Sequence, residues 1–245
     1  MQRYKLIIEY DGSGFVGWQR QKNGLGVQQC MEEAIANFCG EDVTVFAAGR
    51  TDTGVHALGQ VAHFDVEKHT TADKVRDALN HHLKDVAISI LLAEAVDEKF
   101  HARFSARQRA YVYRIIARRS PLTIDSGRAW WVPVKLDAGA MHEAAQLLLG
   151  KHDFSTFRAA NCQSDSPVKT LDDIRIECEG EEIRIHTRAR SFLYHQVRNF
   201  AGSLKYVGEG RWTVEEFKVA FEAANRNKGG PTAPPEGLYF TEVMY

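Results

Sequence analysis

The chain has 245 residues, of which 44% are hydrophobic and 26% charged, with a formal net charge of −1. That is the composition of a globular protein, large enough for one big domain or two modest ones. It excludes a protein basic all over, and its apolar runs fall far short of the roughly 18 residues a membrane span needs.

Residues Met1 to Tyr10 alternate and carry Lys5 and Glu9, which does not fit a secretory signal. Lys5 to Tyr10 reads as a strand, with Leu6 and Ile8 on one face. Asp11 to Gly17 is too rich in glycine for regular structure. Val27, Met31, Ala34, Ile35 and Phe38 have helical spacing, and Gly40 is a C-terminal stop. Strands are expected over Val43–Ala48 and Ala57–Val66, and a helix from Thr71 or Ala72 to about His82. Val86–Leu92 reads as a buried apolar strand. Phe100–Arg107 is irregular and basic, and Ala110–Ala117 alternates as a strand.

In the second half, Asp137 is the expected N-cap of a helix to Leu149, stopped by Gly150. Asn161–Val168 is a polar loop. Val168–Cys178 and Glu182–Ala189 form a hairpin turning at Gly180. Tyr194–Val207 reads as a helix with Val197, Phe200, Ala201 and Leu204 on its apolar face. Thr213 caps a helix over Val214–Ala224. A Gly/Pro loop, Asn227–Gly237, precedes a closing strand, Leu238–Met244. The order predicts an α+β fold: a large, mostly antiparallel mixed sheet flanked by helices, in two similar halves. The division is expected at 1–104 and 105–245, and no linker-like segment separates the halves.

The string Ala47-Ala-Gly-Arg-Thr-Asp-Thr-Gly-Val-His-Ala57 joins two of these strands. Gly49 and Gly54 free the backbone there, so Arg50, Thr51 and Asp52 ride on a tight loop where a scaffold can fix a reactive side chain. A carboxylate there can act as nucleophile, general base, metal ligand or turn former. A nucleophile must be ionised, and a nearby cation such as Arg50 favours that form, though Arg50 could equally take a phosphate. Asp52-Thr53-Gly54 also matches the short aspartic-protease signature. That chemistry needs two carboxylates sharing a proton, and no second copy of the motif is present.

Charge is segregated. Six arginines (Arg103, Arg107, Arg109, Arg114, Arg118, Arg119) lie between His101 and Arg119 with no carboxylate, while Asp172–Glu182 is acidic. One positive face would suit a polyanion; solvated basic segments would give the same pattern. Tyr111 stands in the arginine-rich strand, where its ring could stack on an everted base or simply fill a core. Arg198 follows Phe192-Leu193-Tyr194, and could reach a cleft or stay at the surface. The histidines show no metal-binding spacing and the four cysteines (Cys30, Cys39, Cys162, Cys178) no Cys-x-x-Cys pair. Free thiols in a reducing cytoplasm, without metal, are therefore expected.

Gly49 to Ala57 resembles the active-site motif of the tRNA pseudouridine synthase A family, Gly-Arg-Thr-Asp-x-Gly-Val-His-Ala. Four further segments resemble the same family in order: Tyr10-Asp11-Gly12-x-x-Phe15-x-Gly17-Trp18-Gln19, Phe100–Ala106 with Tyr111-Val112-Tyr113-Arg114, Phe192–Asn199, and Pro234-Pro235-x-Gly237-Leu238. The resemblance implies isomerisation of uridine to pseudouridine at positions 38 to 40 of the tRNA anticodon stem-loop. It implies Asp52 as nucleophile, Tyr111 stacked on the target base, and Arg50, Arg198 and Leu193 as substrate-binding residues. Arg103, Arg107 and Arg109 would hold RNA phosphates. The first half would carry the catalytic loop and the second complete the RNA cleft. A cytoplasmic homodimer without cofactor, metal or membrane contact is implied. The alternative is a non-catalytic RNA-binding protein on the same scaffold.

Overall fold

The computed structural model describes residues 1–245. The chain has ten strands and five α-helices, and it divides into two compact units. The first is Met1–Arg107 with Tyr239–Tyr245, and the second is Gln108–Leu238. Both mix sheet and helix, giving the α+β class with mixed, mostly antiparallel pairing that the element order implies.

The first unit contains β1 (Gln2–Tyr10), α1 (Val27–Cys39), β2 (Phe46–Ala47), β3 (His56–Val66), α2 (Ala72–His82), β4 (Ile88–Val96) and most of β10 (Leu238–Met244). Its strand order is β4-β1-β3-β10, with β2 also on β3. β1 is antiparallel to both β3 and β4, whereas β10 joins β3 in parallel, with Tyr239 opposite His56 and Phe240 opposite Ala57. That pairing is why the last residues of the chain belong with the first unit. β3 is buried at nearly every position. The polar residues it buries, His56, Gln60 and His63, each have a hydrogen-bond partner. α1 ends where Gly40 takes φ 77° and donates back to Ala36, and Thr71 caps α2 by accepting from the Lys74 N–H.

Two expectations in this unit are corrected. Instead of a strand over Val43–Ala48, only Phe46–Ala47 pairs. Side chains of α1 occupy the backbone before it: the Val45 N–H donates to Glu32 Oε1 at 3.2 Å and its carbonyl accepts from Gln28 Nε2 at 3.4 Å. The run expected as a buried strand over Val86–Leu92 is β4, an edge strand that continues to Val96. It buries Ile88, Ile90 and Ala93 and exposes Leu91 and Leu92. The side-chain amide of Asn80 in α2 donates to Ile90 O at 3.0 Å and accepts from the Ile90 N–H at 2.8 Å, which satisfies an edge position that no strand covers.

The second unit contains β5 (Gln108–Ala117), β6 (Trp130–Val132), α3 (Ala138–Gln146), β7 (Gly150–Asp153), β8 (Val168–Glu179), β9 (Glu182–Ala189), α4 (Gln196–Gly208) and α5 (Val214–Glu222). The order is β5-β9-β8-β7, antiparallel throughout, with β6 parallel to β5. The β8–β9 hairpin turns at Gly180 with φ 61°. β9 alternates buried and half-buried side chains, the mark of a strand with one covered face. Asp137 and Thr213 cap α3 and α5, the latter in a capping box with Glu216. Phe154, Phe157, Phe200, Phe217 and Phe221 form the aromatic core between these helices, with ring centroids 4.9 to 6.1 Å apart.

The helix expected from Tyr194 begins only at Gln196, because His195 sits in the left-handed region at φ 62° and Gln196 Oε1 takes the Leu193 N–H at 2.7 Å. The apolar face Val197, Phe200, Ala201 and Leu204 is buried, in keeping with its helical spacing.

His63 of β3 gives the first unit a pH dependence. Its ring is 1% exposed, and Nδ1 accepts from the Ala102 N–H at 3.1 Å. Burial, with the charges of His101 and Arg3, pushes its pKa down to about 4. The unfolded chain therefore binds this proton first as pH falls. Stability from the neutral ring is complete above about pH 6.5 and is lost toward pH 4, by up to about 3 kcal/mol. Urea midpoints should fall between pH 7 and pH 4.5, and fall less in His63→Phe. Equal falls would remove His63 from the acid response.

Candidate active site

The Asp52 loop is built against the segment that follows β1. Trp18 N–H donates to Thr51 O at 3.0 Å, Thr53 Oγ1 to Val16 O at 2.9 Å and Gly54 N–H to Phe15 O at 3.4 Å. The two backbones lie so close that side chains are excluded between them. A Cβ on Gly12 would sit 2.1 Å from Val55 O, and one on Gly17 would sit 2.7 Å from Thr51 O and 3.2 Å from the Asp52 carbonyl carbon. Gly17 also has φ 109° and Gly54 φ 77°, conformations that other residues adopt only with strain.

Three buried polar groups brace the loop from within. Tyr10 Oη and Thr51 Oγ1 are 2.7 Å apart. Burial pushes the Tyr10 hydroxyl up to about 12 against the opposing pull of Thr51 and Gln60, so it stays a protonated hydrogen-bonding group. Gln60 Nε2 donates to Gly49 O at 2.8 Å. His56 Nδ1 accepts from the Gly12 N–H at 3.0 Å and its ring stacks on Tyr239 at 4.7 Å. Between these anchors, Val55 N–H donates to Asp52 O at 3.1 Å and closes the turn. Asp52 is half-buried and Arg50 exposed. With its amide oxygen turned toward Arg50, Gln19 accepts from Nη2 and Nε at 3.2 and 3.3 Å. The loop thus presents a carboxylate and a guanidinium on a frame with little freedom of its own.

The second unit holds the other group of expected residues. Tyr111 lies on β5 opposite Thr187, half-buried, with the Phe192 ring edge-on at 5.0 Å. Leu193 is 4% exposed. Two residues along the same face of β5, Tyr113 is fully buried and donates to Pro234 O at 2.7 Å. Burial, with help from Glu236, holds its hydroxyl well above the usual range, and the Arg198 charge opposes them. Arg198 Nε donates to Ala233 O at 2.8 Å, the residue before Pro234. Tyr111, Leu193 and Arg198 are thereby gathered around one stretch of this unit. Asn199, beside Arg198, is wholly buried and structural. It donates to Phe157 O at 2.8 Å and accepts from Thr232 Oγ1 at 2.7 Å and Arg226 Nη2 at 3.1 Å.

Arg50, Asp52, Arg103 and Arg107 belong to the first unit, and Arg109, Tyr111, Leu193 and Arg198 to the second. Arg107 and Arg103 are exposed, while Arg109 donates to Arg190 O at 2.6 Å. Tyr10, Gly17, His56 and Phe192 each lie inside one of the motifs, but their contacts emerge only in the fold. No group of three or more His, Cys, Asp or Glu side chains is arranged to hold a metal ion. All four cysteines are free, and no helix is long and apolar enough to cross a membrane.

Comparison with known proteins places the chain in a family. A family model described as tRNA pseudouridine synthase matches residues 6–105 and 144–245. The chain is similar to proteins named tRNA pseudouridine synthase A. It is 59% identical to that of Paramagnetospirillum magneticum, over all of this chain and 96% of the relative. The figure is 60% for Rhodospirillum centenum, over the full length of both, and 58% for Brucella ovis, over all of this chain and 98% of the relative. With both stretches of the family model matched and relatives aligned over its whole length, the chain belongs to the tRNA pseudouridine synthase family.

Proposed function

We propose that the protein isomerises uridine to pseudouridine in tRNA, at positions 38 to 40 of the anticodon stem-loop, with Asp52 as nucleophile. The observation that carries this is the braced Asp52 loop: a carboxylate whose backbone is fixed by Trp18, Val16 and Phe15 and whose neighbour Arg50 offers a cation. The reaction breaks the N1–C1′ bond, turns the uracil and forms C5–C1′; the C5 proton is released and N1 takes one up, so the product is an isomer. It is redox-neutral and consumes no second substrate. The target uridine must first leave its stack, at a cost of a few kcal/mol that pocket contacts offset.

Tyr111, with its ring oriented by Phe192, supplies a face for the everted base. Arg198 and Leu193 bound the same stretch and would position the nucleotide, while Arg103, Arg107 and Arg109 would take phosphates, making affinity fall with salt. We further propose that the enzyme works in the cytoplasm as a homodimer.

Asp52→Asn should abolish tritium release from tRNA labelled at uridine C5 while still binding it. Continued turnover would remove Asp52 as nucleophile, and a wild type that binds tRNA without release would favour the non-catalytic reading. Gly17→Ala should lower kcat by about tenfold to a hundredfold, because its methyl must displace the Thr51–Asp52 backbone. Unchanged kcat would show that the loop position is not critical. Tyr111→Phe keeps the ring face, so filter retention of tRNA should change less than about threefold. A larger loss would contradict stacking.

A further inference from the structure

The first unit carries a second aromatic surface that takes no part in bracing Asp52. Four rings pack together with an exposed phenylalanine at either end, and Phe46 also meets His101 at 5.7 Å. Phe46 of β2 stacks on His63 of β3 at 5.2 Å with an interplanar angle of 21°. His63 meets His101 edge-on at 4.6 Å, and His101 meets Phe104 at 4.4 Å. His63 is sealed inside, but Phe46 is 46% exposed and Phe104 74% exposed.

The turn that presents Phe104 is closed on itself. His101 N–H donates to Ser105 Oγ at 3.0 Å, and Ser105 N–H returns to His101 O at 2.9 Å. His101 Nδ1 accepts from the Arg103 N–H at 3.1 Å. The buried Ala102 donates to His63, and Phe100 packs on Tyr245 at 4.9 Å. A large apolar ring is therefore held in water by a backbone that has no freedom to fold it away. Such a ring meets a partner with little further loss of side-chain entropy.

The surroundings suit a polyanion with flat faces. The Arg103 guanidinium lies 5.6 Å from the Phe104 ring centre, and Arg107 follows on the same segment. No carboxylate occurs from His101 to Arg119. The nearest acid on β3, Asp65, is taken by Arg3 through both oxygens at 2.7 and 2.6 Å. Burial and the nearby arginine charges keep both histidines below their ordinary range, so at neutral pH they act as uncharged rings. Phe46 is six residues before Asp52 along a chain that stays hydrogen-bonded to β3 as far as Gly49. At full extension that is about 20 Å, within reach of one RNA loop.

We infer that the Phe46–His63–His101–Phe104 column, with Arg103 beside it, is a second base-stacking site for tRNA, taking an unpaired nucleotide other than the target uridine. The inference rests on the isomerase reading for its partner and extends it from one everted base to two. Stacking suits this role because every base has a π-face, so a site built of rings tolerates different tRNA sequences.

The test uses the full-length protein and unmodified tRNA. Phe104→Ala should weaken tRNA binding by about tenfold in fluorescence anisotropy at fixed salt, and raise KM with kcat within about twofold. Phe104→Trp should bind as the wild type, and Phe104→Leu should behave as the alanine variant. Ultraviolet crosslinking followed by mass spectrometry should place an RNA adduct on Phe104. Unchanged binding in Phe104→Ala, or wild-type binding in Phe104→Leu, would overturn the inference. So would a fall in oligomer mass of Phe104→Ala in light scattering, which would assign the column to contact between copies. Tritium release by the wild type, run in parallel, separates the two claims. Release with Phe104-independent binding sinks only the second stacking site. Absence of release with Phe104-dependent binding sinks only the isomerase reading.

Discussion

The contact on which the site depends is backbone against backbone. Residues Gly12 to Trp18 press on Thr51 to Val55 at distances that no side chain could share, and the Trp18–Thr51 hydrogen bond joins them. Two glycines create that closeness, and a third, Gly54, turns the chain back into β3. A carboxylate on an ordinary turn would sample several positions. Here its main chain is held on both sides, and the cost of ordering it is met in folding rather than on meeting substrate.

Buried polar groups convert that closeness into a defined position. Tyr10, Gln60 and His56 lie behind the loop, each hydrogen-bonded where burial would otherwise leave a polar atom stranded. Their spacing along the chain explains the N-terminal motif. Tyr10 is the last residue of β1, Gly12 and Gly17 admit the loop, and Trp18 ties it. The second unit uses the same device around Asn199, which links Phe157, Thr232 and Arg226 and so fixes the start of α4 that carries Arg198.

The ring column at Phe46 to Phe104 shows a different use of rigidity. Phe100 to Ala106 has no regular structure, yet its hydrogen bonds close on themselves and its small residue, Ala102, is entirely buried. Irregular backbone held this firmly can offer an exposed phenylalanine without losing it to the interior. The histidines within the column are neutral because they are desolvated, so the rings present faces and the neighbouring arginines present charge.

Much of the fold was legible in residue order. All five helices were expected near their places, Asp137 and Thr213 marked two of the caps, and Gly180 the hairpin, because these signals act over a few residues. The motif around Asp52 was legible for the same reason. Only tertiary structure decided that Val43–Val45 is tied to α1 instead of extending β2, that β4 is an edge, and that β10 runs parallel to β3. The same holds for the roles of Tyr10, Gly17 and His56. Each depends on a partner some forty or more residues away, or on a distance between two backbones, and neither quantity is written in local composition.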